Sequence, residues 1–89
     1  MTHRSKLIKQ NIDLDKAEYE IVRNSILKNL LVYGAMTSDE LASLVRDHLE
    51  SKSASPLWRY YYFVRVELEI RGEIRCVPET DPPQIEIAA

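Results

Sequence analysis

The sequence predicts an α+β fold in which three helices are followed by a two-stranded β-hairpin. Capping signals at Asp15 and Thr37 are each followed by apolar residues at helical spacing. A third, aromatic-rich run stops at Gly72 and passes directly into an alternating segment, which is typical of a strand. A chain of 89 residues suits one domain, which we place at residues 13–89 behind a basic arm at residues 1–12.

The first helix is predicted to begin near Asp15 and to end at Gly34. Asp15 can accept hydrogen bonds from the free amides of the first turn, and Glu18 stands three residues later, as in a capping box. A broad set of apolar residues follows at helical spacing, so this helix should be covered on more than one side. Gly34 can adopt the positive φ that ends many helices.

The second helix is predicted to begin at a second capping box, Thr37 with Glu40, and to run to about Glu50. Its expected buried stripe consists of Leu41, Leu44, Val45 and Leu49. The polar residues 51–56 follow as a loop. We expect Ser55 to cap the third helix and Pro56 to take the first helical position, where a missing N–H costs nothing.

The third helix is predicted over Leu57 to Arg71, and a helical wheel gives it two apolar stripes. One stripe is the natural core face, and the other lies almost opposite to it. Either the strands and the N-terminal segment cover the second stripe, or another subunit covers it. The core stripe is Leu57, Tyr61, Val64 and Leu68, and the second is Arg59, Phe63, Val66 and Ile70.

The hairpin is predicted to pair residues 73–77 with residues 84–87 across a proline-containing turn. Alternation along the strands should turn Ile74 and Cys76 inward, facing Ile85 and Ile87. A buried Cys76 would behave as a small hydrophobic residue. Residues 7–12 could add a short N-terminal strand.

Composition argues against several classes of function. No run approaches the roughly 20 apolar residues of a membrane span, and one cysteine forms no internal disulfide, so we expect a cytoplasmic protein. His3 and His48 have no partner at a metal-ligand spacing, and two glycines make no phosphate-binding loop. We therefore predict no enzyme activity, no cofactor and no metal.

The run VRVELEIRGEIR, residues 64–75, carries a resemblance to a known family. It is similar to the helix-to-wing junction of winged helix-turn-helix proteins, often written L-E-x-x-G-x-I. More narrowly, the C-terminal half resembles a family of short, uncharacterised bacterial winged-helix proteins, and the overall likeness covers roughly residues 15–88. The resemblance implies a winged-helix fold, with the hairpin as the wing.

The same resemblance implies a DNA-binding protein, such as a small transcriptional regulator, with residues 57–71 as the recognition helix. Arg65 is then the candidate for a guanine edge, because arginine makes that bidentate contact most readily. The basic arm could reach phosphates or the minor groove of double-stranded DNA. The implied contact residues are Arg59, Tyr62, Arg65, Trp58, Lys52, Ser53, Ser55, Arg4 and Lys6.

The residues themselves leave a second function open, namely a protein-interaction or dimerisation module that does not bind DNA. The wing tip offers Glu79 and Asp81 where DNA-binding wings often present cations. Trp58, Tyr62 and Phe63 would anchor a protein partner, as aromatic residues do at interfaces. The second apolar stripe of the third helix also favours a homodimer.

Overall fold

The structure is a computed structural model that describes residues 15–52 and 56–88. Within these ranges three α-helices and three short strands form one compact unit, which confirms the predicted α+β class and has a winged-helix-like arrangement. In chain order the elements are α1 (Lys16–Tyr33), β1 (Met36–Thr37), α2 (Ser38–Lys52), a 3-10 helix (Leu57–Tyr60), α3 (Tyr61–Ile70), β2 (Ile74–Val77) and β3 (Gln84–Ile87).

Helix α1 begins and ends where the sequence predicts. The Glu18 backbone N–H donates to Asp15 Oδ1 at 2.8 Å, and the Asp15 N–H donates to Glu18 Oε1 at 3.3 Å, which completes the capping box. At the other end Gly34 has φ 84°, and its N–H donates to the Leu30 carbonyl at 2.8 Å. Both boundaries are therefore set by local backbone chemistry.

Helix α2 also starts at its predicted capping box. The Glu40 N–H donates to Thr37 Oγ1 at 3.2 Å, and the Thr37 N–H donates to Glu40 Oε1 at 3.0 Å. Leu41, Val45 and Leu49 are buried as expected. The helix continues to Lys52, two residues beyond the predicted end.

The third helical segment differs from the prediction of one helix over residues 57–71. Its first turn is the 3-10 helix, in which the Arg59 N–H donates to the Pro56 carbonyl at 3.1 Å. Pro56 does not take the first helical position, because its ψ of 62° lies outside the helical region. It stands just before the turn, and α-helical geometry begins only at Tyr61.

Helix α3 ends in a Schellman motif at Gly72, which confirms the predicted glycine stop. Gly72 has φ 80°, its N–H donates to the Glu69 carbonyl at 3.1 Å, and the Glu73 N–H donates to the Leu68 carbonyl at 2.9 Å. This tight turn delivers the chain directly into β2. The positive φ explains why glycine is required there.

The sheet has the strand order β1-β3-β2, and all pairs are antiparallel. The hairpin β2–β3 is the predicted one, with Cys76 opposite Ile85. Strand β1 was not predicted; it places Met36 on the other side of Ile85. The proposed N-terminal strand at residues 7–12 lies outside the described residues.

The core lies between the helices and the inner face of the sheet. The predicted core stripe of the third segment, Leu57, Tyr61, Val64 and Leu68, is buried throughout. Ile74 and Ile85 close the core from the sheet. No helix within the described ranges combines the length and apolar character that a membrane crossing needs.

The predicted inward burial of Cys76 is wrong, since the thiol is exposed. Cys76 lies on β2, an edge strand, whereas its partner Ile85 lies on the central strand and is 2% exposed. Alternation along the strand identifies the face of the sheet correctly, as the burial of Ile74 shows. The alternation does not reveal whether the helices extend far enough to cover the edge strand β2.

Candidate functional site

A groove of about 300 Å³ lies between α2 and the start of the third helical segment. Its wall carries two arginines and three aromatic residues, and we call the two arginines with the two less buried aromatic residues the aromatic–arginine groove. The sequence named three of them as site candidates. The four are Arg46, Trp58, Arg59 and Tyr62.

Trp58 forms a fixed wall of the groove. It packs against the core and is half-buried, and the Arg46 guanidinium lies over its ring with Cζ 4.7 Å from the ring centroid. Arg46 also approaches Glu50 within α2, with Nε 3.4 Å from Oε2. The cation–π contact therefore joins α2 to the 3-10 helix and holds the indole in place.

Arg59 and Tyr62 form the accessible part of the groove. Tyr62 is 65% exposed, and Arg59 is also exposed. Among the six arginines within residues 15–52 and 56–88, Arg59 is the one without an ion pair. Its guanidinium can therefore bind a ligand without first breaking a contact to another described residue.

Tyr61, which is mostly buried, also lines the groove and helps to position it. The Tyr61 hydroxyl donates to the Ser38 carbonyl at 3.3 Å and lies 3.1 Å from Ser38 Oγ. Burial raises the pKa of Tyr61 above its usual 10.0, and the hydrogen bond with Ser38 partly opposes that rise. The hydroxyl stays neutral at physiological pH and ties the start of α3 to the start of α2.

Arg65, the expected guanine reader, is mostly buried and does not line the aromatic–arginine groove. Its side chain is 13% exposed, and Nη1 lies 3.1 Å from Glu69 Oε1. Its Cζ lies 5.1 Å from the Tyr62 ring centroid, and its buried Nε has no hydrogen-bond partner among the described residues. The pair with Glu69 partly neutralises the charge of Arg65, and the DNA role of Arg65 stays a prediction.

Several other candidates fall outside the part of the chain that the structure describes. Arg4 and Lys6, in the arm at residues 1–12, lie there with Ser53 and Ser55, and only the backbone of Lys52 is described. Phe63, the third expected anchor, is half-buried and packs against the core. On the second stripe of α3, Ile70 is 76% exposed, so no described residue covers it.

The wing has an anionic tip. Arg75, the cation of strand β2, pairs with Glu86 on β3, with Nε 2.6 Å from Oε2. Glu79 and Asp81 are exposed in the turn between the strands. Residues 78–83 also contain three exposed prolines and no basic residue.

Arg46 is the groove residue that the sequence analysis missed. The signal available in the sequence is its i, i+4 spacing to Glu50, which predicts an ordinary pair on an exposed helix face. Its contact with Trp58 joins residues 12 apart and depends on how α2 meets the 3-10 helix.

The groove offers recognition rather than bond-making chemistry. It presents cations and aromatic faces, and its wall has no carboxylate, thiol or imidazole. Within the described ranges, no three His, Cys, Asp or Glu side chains are grouped as ligands of a metal ion would be.

Comparison with known proteins identifies a family through nearly the whole chain. Residues 3–85 match the family described as "Family of unknown function (DUF6958)". No curated protein and no solved structure matches the chain significantly. Because the match spans both the helices and the wing, the chain belongs to this family of unknown function, DUF6958.

Proposed function

We propose that this protein is a protein-interaction module that binds its partner through the aromatic–arginine groove. The observation that carries the proposal is the convergence of Trp58, Arg59, Tyr62 and Arg46 on one groove. Tryptophan, tyrosine and arginine are the residue types most enriched among interface hot spots. A fixed indole beside an exposed phenol and a guanidinium supplies apolar area and directional hydrogen bonding with little loss of side-chain entropy.

The charge distribution favours a protein partner over duplex DNA. Binding to the DNA backbone depends on cations that neutralise phosphates. Most described arginines are already engaged with carboxylates, and the wing tip adds negative charge where DNA would approach. An acidic wing next to the recognition surface repels a polyanion at distances within the Debye length.

Duplex DNA remains a second candidate because of one observation. Arg59 stands exposed at the start of the third helical segment without an ion pair to any described residue, beside the exposed Tyr62. The N-terminal part of a recognition helix is where winged-helix and related proteins contact bases. In this alternative Arg59, rather than Arg65, makes the leading contact.

Site-specific photo-crosslinking in cells tests the proposal. A benzophenone amino acid replaces Tyr62 in one variant and Ile21, 44% exposed on α1, in a matched control. We expect protein adducts from position 62 that Arg59→Ala suppresses, and few from position 21. Equal adducts from both positions, or none from position 62, would contradict a groove-specific partner.

A DNA-binding assay separates the two candidates. Fluorescence anisotropy of a labelled mixed-sequence duplex is measured with the purified protein at about 50 mM salt, where phosphate contacts are strongest. We expect no binding at micromolar protein concentration. Binding that weakens steeply with salt and disappears in Arg59→Ala would favour the DNA candidate instead.

A further inference from the structure

We infer that the aromatic–arginine groove binds the wing tip, residues 78–83, of a second copy of this chain. The inference rests on the proposed function and names the partner. It depends on three features of the described residues: the charges of groove and tip, the match of prolines to aromatic rings, and the place of both surfaces on the molecule.

The charges of the two surfaces are complementary. The groove presents Arg59, which has no ion pair within the described residues, and Arg46, which is 58% exposed although it approaches Glu50. The tip presents Glu79 and Asp81, both exposed and without an ion pair among the described residues. Hydrogen bonds between a guanidinium and a carboxylate are roughly twice as strong as those between neutral groups.

The apolar parts also match. The tip has the sequence PETDPP, and Pro78, Pro82 and Pro83 are all exposed. Proline-containing recognition segments bind in grooves lined by aromatic rings, and the exposed prolines of the wing tip present the same kind of ring. Trp58 and Tyr62 provide such rings next to the cations that would take the carboxylates.

Both surfaces approach Arg65. A neighbouring groove of about 320 Å³ is lined by Pro82 and Pro83 of the wing together with Arg65. Arg65 in turn approaches Tyr62 of the aromatic–arginine groove, with Cζ 5.1 Å from the ring centroid. Arg65 therefore links the wing with the groove.

This placement suits a two-fold axis. An isologous dimer uses the same patch of both copies, with each copy donating and accepting the same element. An axis near Arg65 would bring the tip of each copy to the groove of the other. Arg65 itself can approach its symmetry mate because Glu69 offsets its charge.

The contact is small, so the dimer should be weak. Two turns of six residues bury less than the roughly 1,200 Å² at which stable interfaces begin. We expect a monomer–dimer equilibrium in the micromolar range that weakens with salt, because exposed charge pairs are screened.

Sedimentation equilibrium of the full chain, from about 5 to 500 µM and at two salt concentrations, tests the inference. Charge reversal on either surface, by Arg59→Glu or by Glu79→Lys with Asp81→Lys, should weaken dimerisation by about tenfold or more, since like charges then face each other. Combining the reversals should restore the affinity to within about threefold of the wild type. Lys28→Glu, which changes the net charge as Arg59→Glu does but lies on α1, should leave the affinity unchanged.

Circular dichroism establishes that each variant is folded before it is compared. Arg59 makes no side-chain contact to a described charged group, so its reversal should leave the fold intact. In the purified protein, a benzophenone at position 62 should crosslink to residues 78–83 of a second copy. Mass spectrometry of the adduct identifies the attachment site.

Specific outcomes overturn the inference. One is that the protein sediments as a monomer at every concentration. Another is that the charge reversals do not change the affinity of the dimer. A third is that the combined variant dimerises as weakly as the variants with one surface reversed. A purified monomer whose position 62 still crosslinks to other proteins in cells rejects the second copy and leaves the proposed function standing. Salt-sensitive DNA binding lost in Arg59→Ala rejects both.

Discussion

Two buried tyrosines provide a matched test of how this core treats polar groups. Tyr19 and Tyr61 are each 8% exposed, and each lies at the edge of the core. The Tyr61 hydroxyl bonds to Ser38, whereas the buried Tyr19 hydroxyl has no partner among the described residues. Changing each residue to phenylalanine removes only the hydroxyl, so the two variants isolate the value of the hydrogen bond.

The expected changes have opposite signs. Tyr61→Phe should lower the free energy of unfolding by about 1 kcal/mol, the net value of a typical intramolecular hydrogen bond. Tyr19→Phe should raise the free energy of unfolding by up to about 1 kcal/mol, because it removes a hydroxyl that gives up its water on folding and gains no hydrogen bond in return. The cation–π contact from Arg71, 5.7 Å from the Tyr19 ring, survives the change. The two variants should therefore differ by about 2 kcal/mol.

Urea denaturation followed by circular dichroism gives both free energies on one scale. In thermal melts the Tyr61→Phe protein should unfold about 4–8 °C below the wild type, as expected for a domain of this size. Equal destabilisation by both substitutions would refute the reasoning, because it would mean that the Tyr19 hydroxyl is satisfied or that both rings matter only through packing. A stabilising Tyr61→Phe would refute the value assigned to the Ser38 bond.

Three further predictions concern the turn, the pH response and the thiol. Gly72→Ala should lower the free energy of unfolding, measured by thermal denaturation, by about 1–2 kcal/mol. Gly72 has φ 80°, and an added Cβ would meet no atom within 4 Å, so backbone strain is the cause. Burial raises the pKa of both Tyr19 and Tyr61, so their contribution to the free energy of unfolding should be constant below about pH 10 and be lost as pH rises through the raised folded values. Denaturation at pH 9 to 11 checks this, and the fall should be shallower in Tyr61→Phe. Cys76 should react fully with a thiol reagent in the native protein without denaturant, and protection from the reagent would contradict its exposure.

Element boundaries could be predicted wherever they depend on residues close in sequence. The capping boxes at Asp15 and Thr37 and the stop at Gly72 each involve groups within a few positions of one another. Strand β1 could not be predicted in this way. A strand of two residues is too short to show a periodic pattern, and Met36 becomes a strand residue only because β3 lies beside it.

The candidate site was predictable in its residue types and not in its contacts. Trp58, Arg59 and Tyr62 stand out as aromatic and basic residues at the start of the third segment. The prediction of one regular helix over residues 57–71 missed the 3-10 turn at its start, because a wheel of 100° per residue does not describe such a turn. The pairing of Arg65 with Glu69 is local, and its i, i+4 spacing is visible in the sequence. The stacking of Arg46 on Trp58 depends on tertiary packing and left no trace there.

The central position of β3 has a consequence for how the molecule opens. Strands β1 and β2 do not pair with each other, and each is held in the sheet through β3 alone. Release of β3 would free both ladders at once and uncover Ile85. Amide hydrogen exchange in β1 and β2 should therefore report one shared opening event, although the two strands are far apart along the chain.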